Sequence, residues 1–388
     1  MRRPPHVAVL IETSGEYGRG LLRGVARYVC EHGPWSIYFH PQDLDQFPPP
    51  GLARWHGDGI LSRVNTRKAA KAVLGTKLPT VELRGALADL GLPFVGVNNR
   101  LVAKLAAEHL LERGLRRFGF CGTPRRENRF QDQRCDYFKQ FIEEAGYPCR
   151  IFPAKRYRRG AAEWEAEQNR IAQWLCDLPK PCGVMTCHDE RGQQVLDAAL
   201  RGSVKVPDEV AVVSANNDEH LCALSNPPLS SIDVNPIQIG YEGAALLDRM
   251  MAGAAPPKEA REIAPLGLVV RQSSDIVAVD DAVVSAALRF IRENACKGTN
   301  VEQVLAEVAV SRSTLEHRFK ASLGRTPKTE MLRVQLERAK ELLVQTKLPL
   351  NVVAAHAGFG SVQYFIDVFG RKVGITPGGY RGRFVASR

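Results

Sequence analysis

The stretch Ser311-Arg312-Ser313-Thr314-Leu315-Glu316-His317-Arg318-Phe319-Lys320-Ala321-Ser322-Leu323-Gly324-Arg325-Thr326-Pro327 decides the fold of the last third of the chain. Its framework returns fifty residues later as Ser361, Phe365, Phe369, Gly374, Thr376 and Pro377. Ser at the head of each copy suits a helix N-cap, and the apolar pair four residues apart buries one face of the helix that follows. Each copy is preceded by a short apolar-faced helix pattern, with Val301, Val304, Leu305 and Val308 in the first and Val352, Val353 and Ala355 in the second. That is a helix-turn-helix pattern, and it occurs twice, over residues 301–324 and 350–374. Between them Met331, Leu332, Leu336, Ala339, Leu342 and Leu343 mark one face of a linker helix over 327–346. At ~1.5 Å per residue such a helix spans roughly 28 Å, close to the ~34 Å between successive major grooves on one side of DNA.

The charge distribution agrees with that reading. The 388 residues carry a formal net charge of +11, and from Asp281 onward seventeen Lys and Arg face nine Asp and Glu, so +8 of it sits in the last 108 residues. A small basic domain beside a near-neutral larger one points to a polyanion-binding head on a separate body. The first apolar run, Val7 to Ile11, is too short for a signal sequence or a membrane span, so a soluble, cytoplasmic protein without membrane association is expected. Nine cysteines, with no Cys-x-x-Cys, fit a reducing compartment better than a disulfide framework or zinc site.

Upstream, residues 6 to about 275 alternate apolar runs with helical stretches, which predicts parallel doubly wound sheets. The expected strands are 7–11, 35–39, 59–61, 80–83, 94–97, 118–121, 183–186 and 210–214; the expected helices are 21–31, 102–113, 132–145, 162–176, 191–200 and 240–251. Gly15, Gly18, Gly20 and Gly24 follow the first strand, but Arg23 stands where a dinucleotide fingerprint needs its last glycine. Tight loop and close helix packing is the favoured use of these glycines. No nucleophile elbow, phosphate loop or metal-ligand cluster is present, so neither catalysis nor a cofactor is expected. His188-Asp189-Glu190 falls at the carboxyl end of a strand, where open α/β sheets bind ligands.

Ala357-Gly358-Phe359-Gly360-Ser361 with Tyr364-Phe365, Gly374, Thr376-Pro377 and Tyr380-Arg381 resembles the DNA-binding domain of the AraC/XylS family. Val206-Pro207-Asp208-Glu209-Val210, Asn216-Asn217-Asp218 and Leu229-Ser230-Ser231-Ile232 resemble the sugar-sensing core of LacI/GalR-type regulators, a two-lobed type I periplasmic-binding-protein fold. The order of the two is similar to that in the xylose regulators. The resemblance therefore implies domains at 1–276 and 277–388, meeting near 275–280. It implies a transcriptional activator that is no enzyme, with double-stranded operator DNA, a sugar effector (D-xylose first, another pentose or a hexose second), RNA polymerase and a second copy of the chain as partners. A sugar- or nucleotide-binding enzyme is the rival.

Tyr17, Arg19, Arg134 and Asp189 fall where that family lines its cleft, joined by Asn216 and Asp218; Asn216 stands where an Asp is usual. In the head, Arg312, Ser313, Glu316, His317 and Lys320 are expected to face outward. Glu316 suits a cytosine amino group, His317 a guanine, and Arg312 and Lys320 phosphate. Ser361, Gln363, Tyr364 and Asp367 are the corresponding second set, Gln363 suiting adenine. Arg371 completes it, as a DNA contact or as the partner of Asp367 one turn away.

Overall fold

The structure, a computed structural model, describes residues 3–39, 51–87, 90–156, 160–257, 259–276 and 281–385. The chain falls into two compact units, Met1–Ile276 and Val277–Arg388. Residues 277–280, part of the expected junction, lie outside the described residues.

The first unit runs β1 (His6–Leu10), α1 (Glu16–His32), β2 (Ser36–Phe39), β3 (Gly59–Ser62), α2 (Arg67–Gly75), β4 (Thr80–Glu82), β5 (Val95–Val97) and α3 (Asn99–Glu112). It continues with β6 (Phe118–Cys121), α4 (Arg129–Glu144), β7 (Cys149–Ile151), α5 (Ala161–Asp177), β8 (Cys182–Thr186) and α6 (Asp189–Arg201). Then come β9 (Val210–Ala215), α7 (Glu219–Leu224), β10 (Ser230–Asp233), α8 (Pro236–Met251), β11 (Arg261–Ile263) and β12 (Gly267–Val269).

Two sheets form, each the core of one lobe. The first has the order β2-β1-β3-β4, all parallel, and a bridge between Glu82 and Phe94 leads on to the parallel pair β5 and β11. The second has the order β12-β10-β9-β8-β6-β7, parallel except for β12. The chain crosses between lobes after β5, after β10 and between β11 and β12. Central strands such as Val210–Ala215 are buried along their whole length, as a sheet covered by helices on both faces requires.

All eight expected strands are present, within a residue or two. Strands β7, β10, β11 and β12 are not among them: β7, β11 and β12 are three residues long and exposed or half-buried throughout, and β10, Ser-Ser-Ile-Asp, carries no apolar run. Helix α1 starts at Glu16, five residues before the expected Leu21, because its glycines sit inside the helix instead of ending it. They serve packing: a Cβ on Gly24 would lie 2.0 Å from the Ile237 carbonyl oxygen, and one on Gly240 2.0 Å from that of Leu21. Helices α1 and α8 thus touch backbone to backbone.

The second unit is all helical: α9 (Ala282–Asn294), α10 (Val301–Val308), α11 (Arg312–Leu323), α12 (Pro327–Gln345), α13 (Leu350–His356), α14 (Val362–Val373) and α15 (Pro377–Val385). Two cores form on opposite ends of α12. Val284, Leu288, Ile291, Val304, Leu315, Phe319 and Met331 make one; Leu336, Leu343, Val353, Phe359, Phe365 and Phe369 make the other. The sequence repeat has a structural meaning at each conserved place. Ser311 and Ser361 accept from the backbone N–H groups of Thr314 and Tyr364, both at 3.2 Å. Gly324 and Gly374 end α11 and α14 at φ of +67° and +83°, a region open to glycine at no steric cost.

Candidate functional site

Between the lobes of the first unit lies a cavity of about 210 Å³. At ~30 Å³ per water this is room for about seven waters, the scale of one monosaccharide. The first lobe lines it with Glu12 beyond β1, Tyr17 in the first turn of α1, Arg63 beyond β3 and Arg84 beyond β4. The second lobe supplies Asn128, Gln131 and Arg134 around the start of α4, Asp189 at the head of α6, and Asn216 and Asp218 after β9. Every one of these follows the carboxyl end of a strand or opens the next helix, which is where parallel sheets place ligands.

Arg134 is buried, donating from Nε and Nη2 to Asn99 Oδ1 at 3.1 and 2.9 Å and from Nη1 to the Cys187 carbonyl. Burial draws its guanidinium below the ordinary value. Asp189 accepts from the Ser231 hydroxyl at 2.5 Å and the Asp218 N–H at 2.7 Å. Burial nevertheless outweighs these bonds and raises its carboxyl to about 6. Tyr17 is held neutral by burial, against the pull of Arg134 and Arg84. Its ring lies against the Arg63 guanidinium, 4.7 Å from centroid to Cζ.

The two lobes are joined across the cavity mouth. Asp218 Oδ1 caps α7 by accepting from His220 and Leu221, while its Oδ2 accepts from the Glu16 N–H of the opposite lobe at 3.3 Å. Asn216 takes a φ of +108°, its N–H bonded to the Ile232 carbonyl at 2.9 Å, and lines the cavity.

Five of the six residues predicted to bind effector therefore converge on one cavity. Arg19 does not. Its guanidinium donates to the Thr13 and Ser14 carbonyls at 2.8 and 3.1 Å and pairs with Glu16, so it braces the loop between β1 and α1. Sequence reading missed Glu12, Arg63 and Arg84, although each is a charged residue directly behind an apolar strand: Leu10-Ile11-Glu12, Leu61-Ser62-Arg63 and Val81-Glu82-Leu83-Arg84. That repeated placement was the available signal.

In the second unit, Ser313, Glu316, His317 and Lys320 are exposed on α11. Arg312 is exposed too, but its guanidinium is engaged by Glu302 of α10 at 2.5 Å. On α14, Gln363, Tyr364, Asp367 and Arg371 are exposed. Asp367 accepts from the Gln363 amide at 3.1 Å, and Arg371 Nε reaches only the Asp367 carbonyl at 3.4 Å. The Asp367–Arg371 carboxylate pair, one of the two readings of Asp367, is replaced by a bond to the residue one turn earlier.

Helices α11 and α14 are held on one frame. Gln335, midway along α12, donates from its amide nitrogen to the Ala295 carbonyl at 3.0 Å and the Gly358 carbonyl at 2.9 Å. A Cβ on Gly358 would stand 2.4 Å from that same Ala295 oxygen, so glycine alone allows this contact between the halves. Arg381 closes the other end, donating to the Leu343 and Leu348 carbonyls at 3.3 and 2.6 Å around the C-terminus of α12. The terminal Tyr-Arg of the motif is thus structural: Tyr380 packs edge-on against Phe369.

Residues 107–274 match the periplasmic binding protein-like domain and residues 304–383 the helix-turn-helix domain. The xylose operon regulatory protein of Escherichia coli K12 is 30% identical over 381 residues, covering 97% of this chain and 96% of that protein. The protein of the same name from Haemophilus influenzae is 28% identical over 97% of both chains. Among solved structures, the xylose-binding transcription activator XylR superposes with a TM-score of 0.79 at 29% identity, covering 98% of each chain. A cellobiose complex of the regulator CelR, at 20% identity and a TM-score of 0.56, shares the sensor fold over 70% of this chain.

Proposed function

The chain belongs to the xylose operon regulatory protein family, whose members are transcription regulators and not enzymes, and from that premise we propose that it senses D-xylose in the interlobe cavity and activates xylose-utilisation genes. The observation that carries the reading is a monosaccharide-sized cavity walled by both lobes, in one chain with two stapled helix-turn-helix units. A ligand touching both lobes favours the closed arrangement that the Asp218–Glu16 bond spans. Tyr17, Arg134, Asp189, Asn216 and Asp218 are the contacts assigned to the effector. Asn216 offers one donor and one acceptor where an Asp would offer acceptors only.

In the head, Glu316, His317 and Lys320 are assigned to the first half-site, and Gln363 and Tyr364 to the second. Sensors pair as a homodimer in the cytoplasm and set two heads on tandem half-sites beside RNA polymerase. Sugar and DNA must then raise each other's affinity by one shared factor.

The test is a thermal-shift panel of D-xylose, L-arabinose, D-ribose, D-glucose and nucleotides, followed by operator retardation with and without the active sugar. Ligand at ~100 times its dissociation constant stabilises by ~2.7 kcal/mol. Stabilisation by D-xylose alone supports the reading. Stabilisation by another sugar reassigns the operon, and by nucleotide alone restores the enzyme rival. Operator affinity indifferent to every sugar defeats the coupling.

A further inference from the structure

The effector contacts assigned above come almost entirely from the second lobe, and the first lobe carries a pair of charges that they do not use. Glu12 and Arg63 form an ion pair at the cavity wall, 6% and 8% exposed. Three of their buried atoms, Glu12 Oε2 and Arg63 Nε and Nη1, make no hydrogen bond among the described residues, Nη1 meeting Glu12 Oε1 only as the ion pair. Buried ion pairs are tolerated when further hydrogen bonds complete them, and this one is incomplete.

Its placement is tightly set. Glu12 leaves the end of β1, and a Cβ on Gly18 would lie 2.1 Å from the Glu12 carbonyl oxygen, so the first turn of α1 sits directly on this residue. Arg63 leaves the end of the neighbouring strand β3 and is sandwiched between Glu12 and the Tyr17 ring. Burial and the nearby Arg84 hold its guanidinium well below its ordinary value, opposed by Glu82.

We propose that Glu12 and Arg63 are the specificity-determining pair of the sensor, reading two adjacent hydroxyls of an uncharged sugar. One hydroxyl donates to Glu12 Oε2 and its neighbour accepts from Arg63 Nε. An anionic carboxylate beside a cationic guanidinium fits a neutral vicinal diol. It disfavours a sugar acid, whose carboxylate would meet Glu12, and a deoxy sugar, which leaves one charged atom buried and unpaired. This assignment rests on the reading of the cavity as a sugar site.

The test is isothermal titration of the full chain with D-xylose, D-xylonate and single-deoxy analogues of D-xylose, on wild type, Glu12→Gln and Arg63→Lys. The expected result is at least tenfold weaker D-xylose binding in both variants. Glu12→Gln should also lower the unliganded melting temperature, because it leaves Arg63 buried without its partner, whereas Arg63→Lys keeps the charge and should lower it less. At least one deoxy analogue should bind wild type at least tenfold more weakly than D-xylose and lose nothing further in the variant facing the missing hydroxyl. D-xylose binding equal to wild type in both variants overturns the assignment while leaving the sugar site intact. Wild type preferring D-xylonate overturns it as well, and wild type binding no sugar overturns the site reading and this assignment together.

Discussion

Glu330 in the DNA-reading unit and Asp189 in the sensor are both buried carboxylates, 0% and 2% exposed, and their acidities move in opposite directions. Burial raises each. At Glu330 it is overcome by the Arg333 hydrogen bonds and the charges of Arg333, Arg325 and Arg292, so the carboxyl ends below its ordinary value. At Asp189 the partners are a hydroxyl and N–H groups, and burial wins, raising the group to about 6. Glu82, beneath the cavity, follows Asp189: burial lifts it to about 7 despite the donated N–H groups of Val64, Arg84 and Gly85. The head meets the buried charge of Glu330 with arginines that fasten its helices together, whereas Asp189 and Glu82 in the sensor are met mainly by neutral donors, which leave burial the stronger effect.

The sharpest way to break this contrast is Glu330→Gln, which leaves Arg325 and Arg333 facing one another. Removing one partner of a buried pair costs ~3–5 kcal/mol. Both arginines keep about a third of their surface in water, so the lower end, ~3 kcal/mol, is expected, read by urea unfolding of the head transition. A loss under ~1 kcal/mol would mean that Glu330 is no fastener.

The pH dependence should differ in sign between the units. A carboxyl whose folded value is raised contributes stability that is full below its unfolded value and lost as pH rises through the folded one. For Asp189 that window runs from the ordinary 3.8 to about 6, and for Glu82 from 4.5 to about 7. Glu330, being lowered, contributes fully above its ordinary 4.5 and loses that contribution as pH falls. Melting of the sensor transition should therefore decline between pH 4 and 7. Asp189→Asn should remove ~2–3 kcal/mol of that decline, at ~1.4 kcal/mol per unit. An unchanged slope in the variant would sink the assignment.

The same contrast extends to a neutral group. Gln335 satisfies two carbonyls, so Gln335→Leu should cost ~1–3 kcal/mol, read by urea unfolding of the head; a loss under ~0.5 kcal/mol would mean that the staple carries no load. Smallest is Asp367→Asn, at an exposed site. Stability should stay within ~0.5 kcal/mol, while operator binding tightens a few-fold at low salt because a negative charge leaves the DNA-facing side.

These contrasts bear on what a sequence displays. The two helix-turn-helix units were legible because the residues that cap, turn and fill them, such as Ser311, Phe319 and Gly324, recur at a fixed offset. Parallel strands were legible where burial on both faces made unbroken apolar runs. The pairings of side chains were not. Arg19 and Arg134 look alike in a sequence, yet one bonds carbonyls five and six residues back and braces a loop, while the other reaches Asn99 and Cys187, far along the chain, at the cavity. Glu12 and Arg63, 51 residues apart, become neighbours only through the pairing of β1 with β3. Asp367 was read against Arg371 one turn on, but Gln363 one turn back is nearer.

The staple of Gln335 and Gly358 sets a mechanical limit on the operator. With both halves fastened to the middle of one helix, the head resembles a caliper whose gap the staple resists changing. A change of about five base pairs between the two half-sites, half a helical turn, carries the second groove to the far side of the duplex. Against a stapled head the DNA twists or bends to restore the gap, and sequences that deform readily between the half-sites gain an advantage although no side chain touches them.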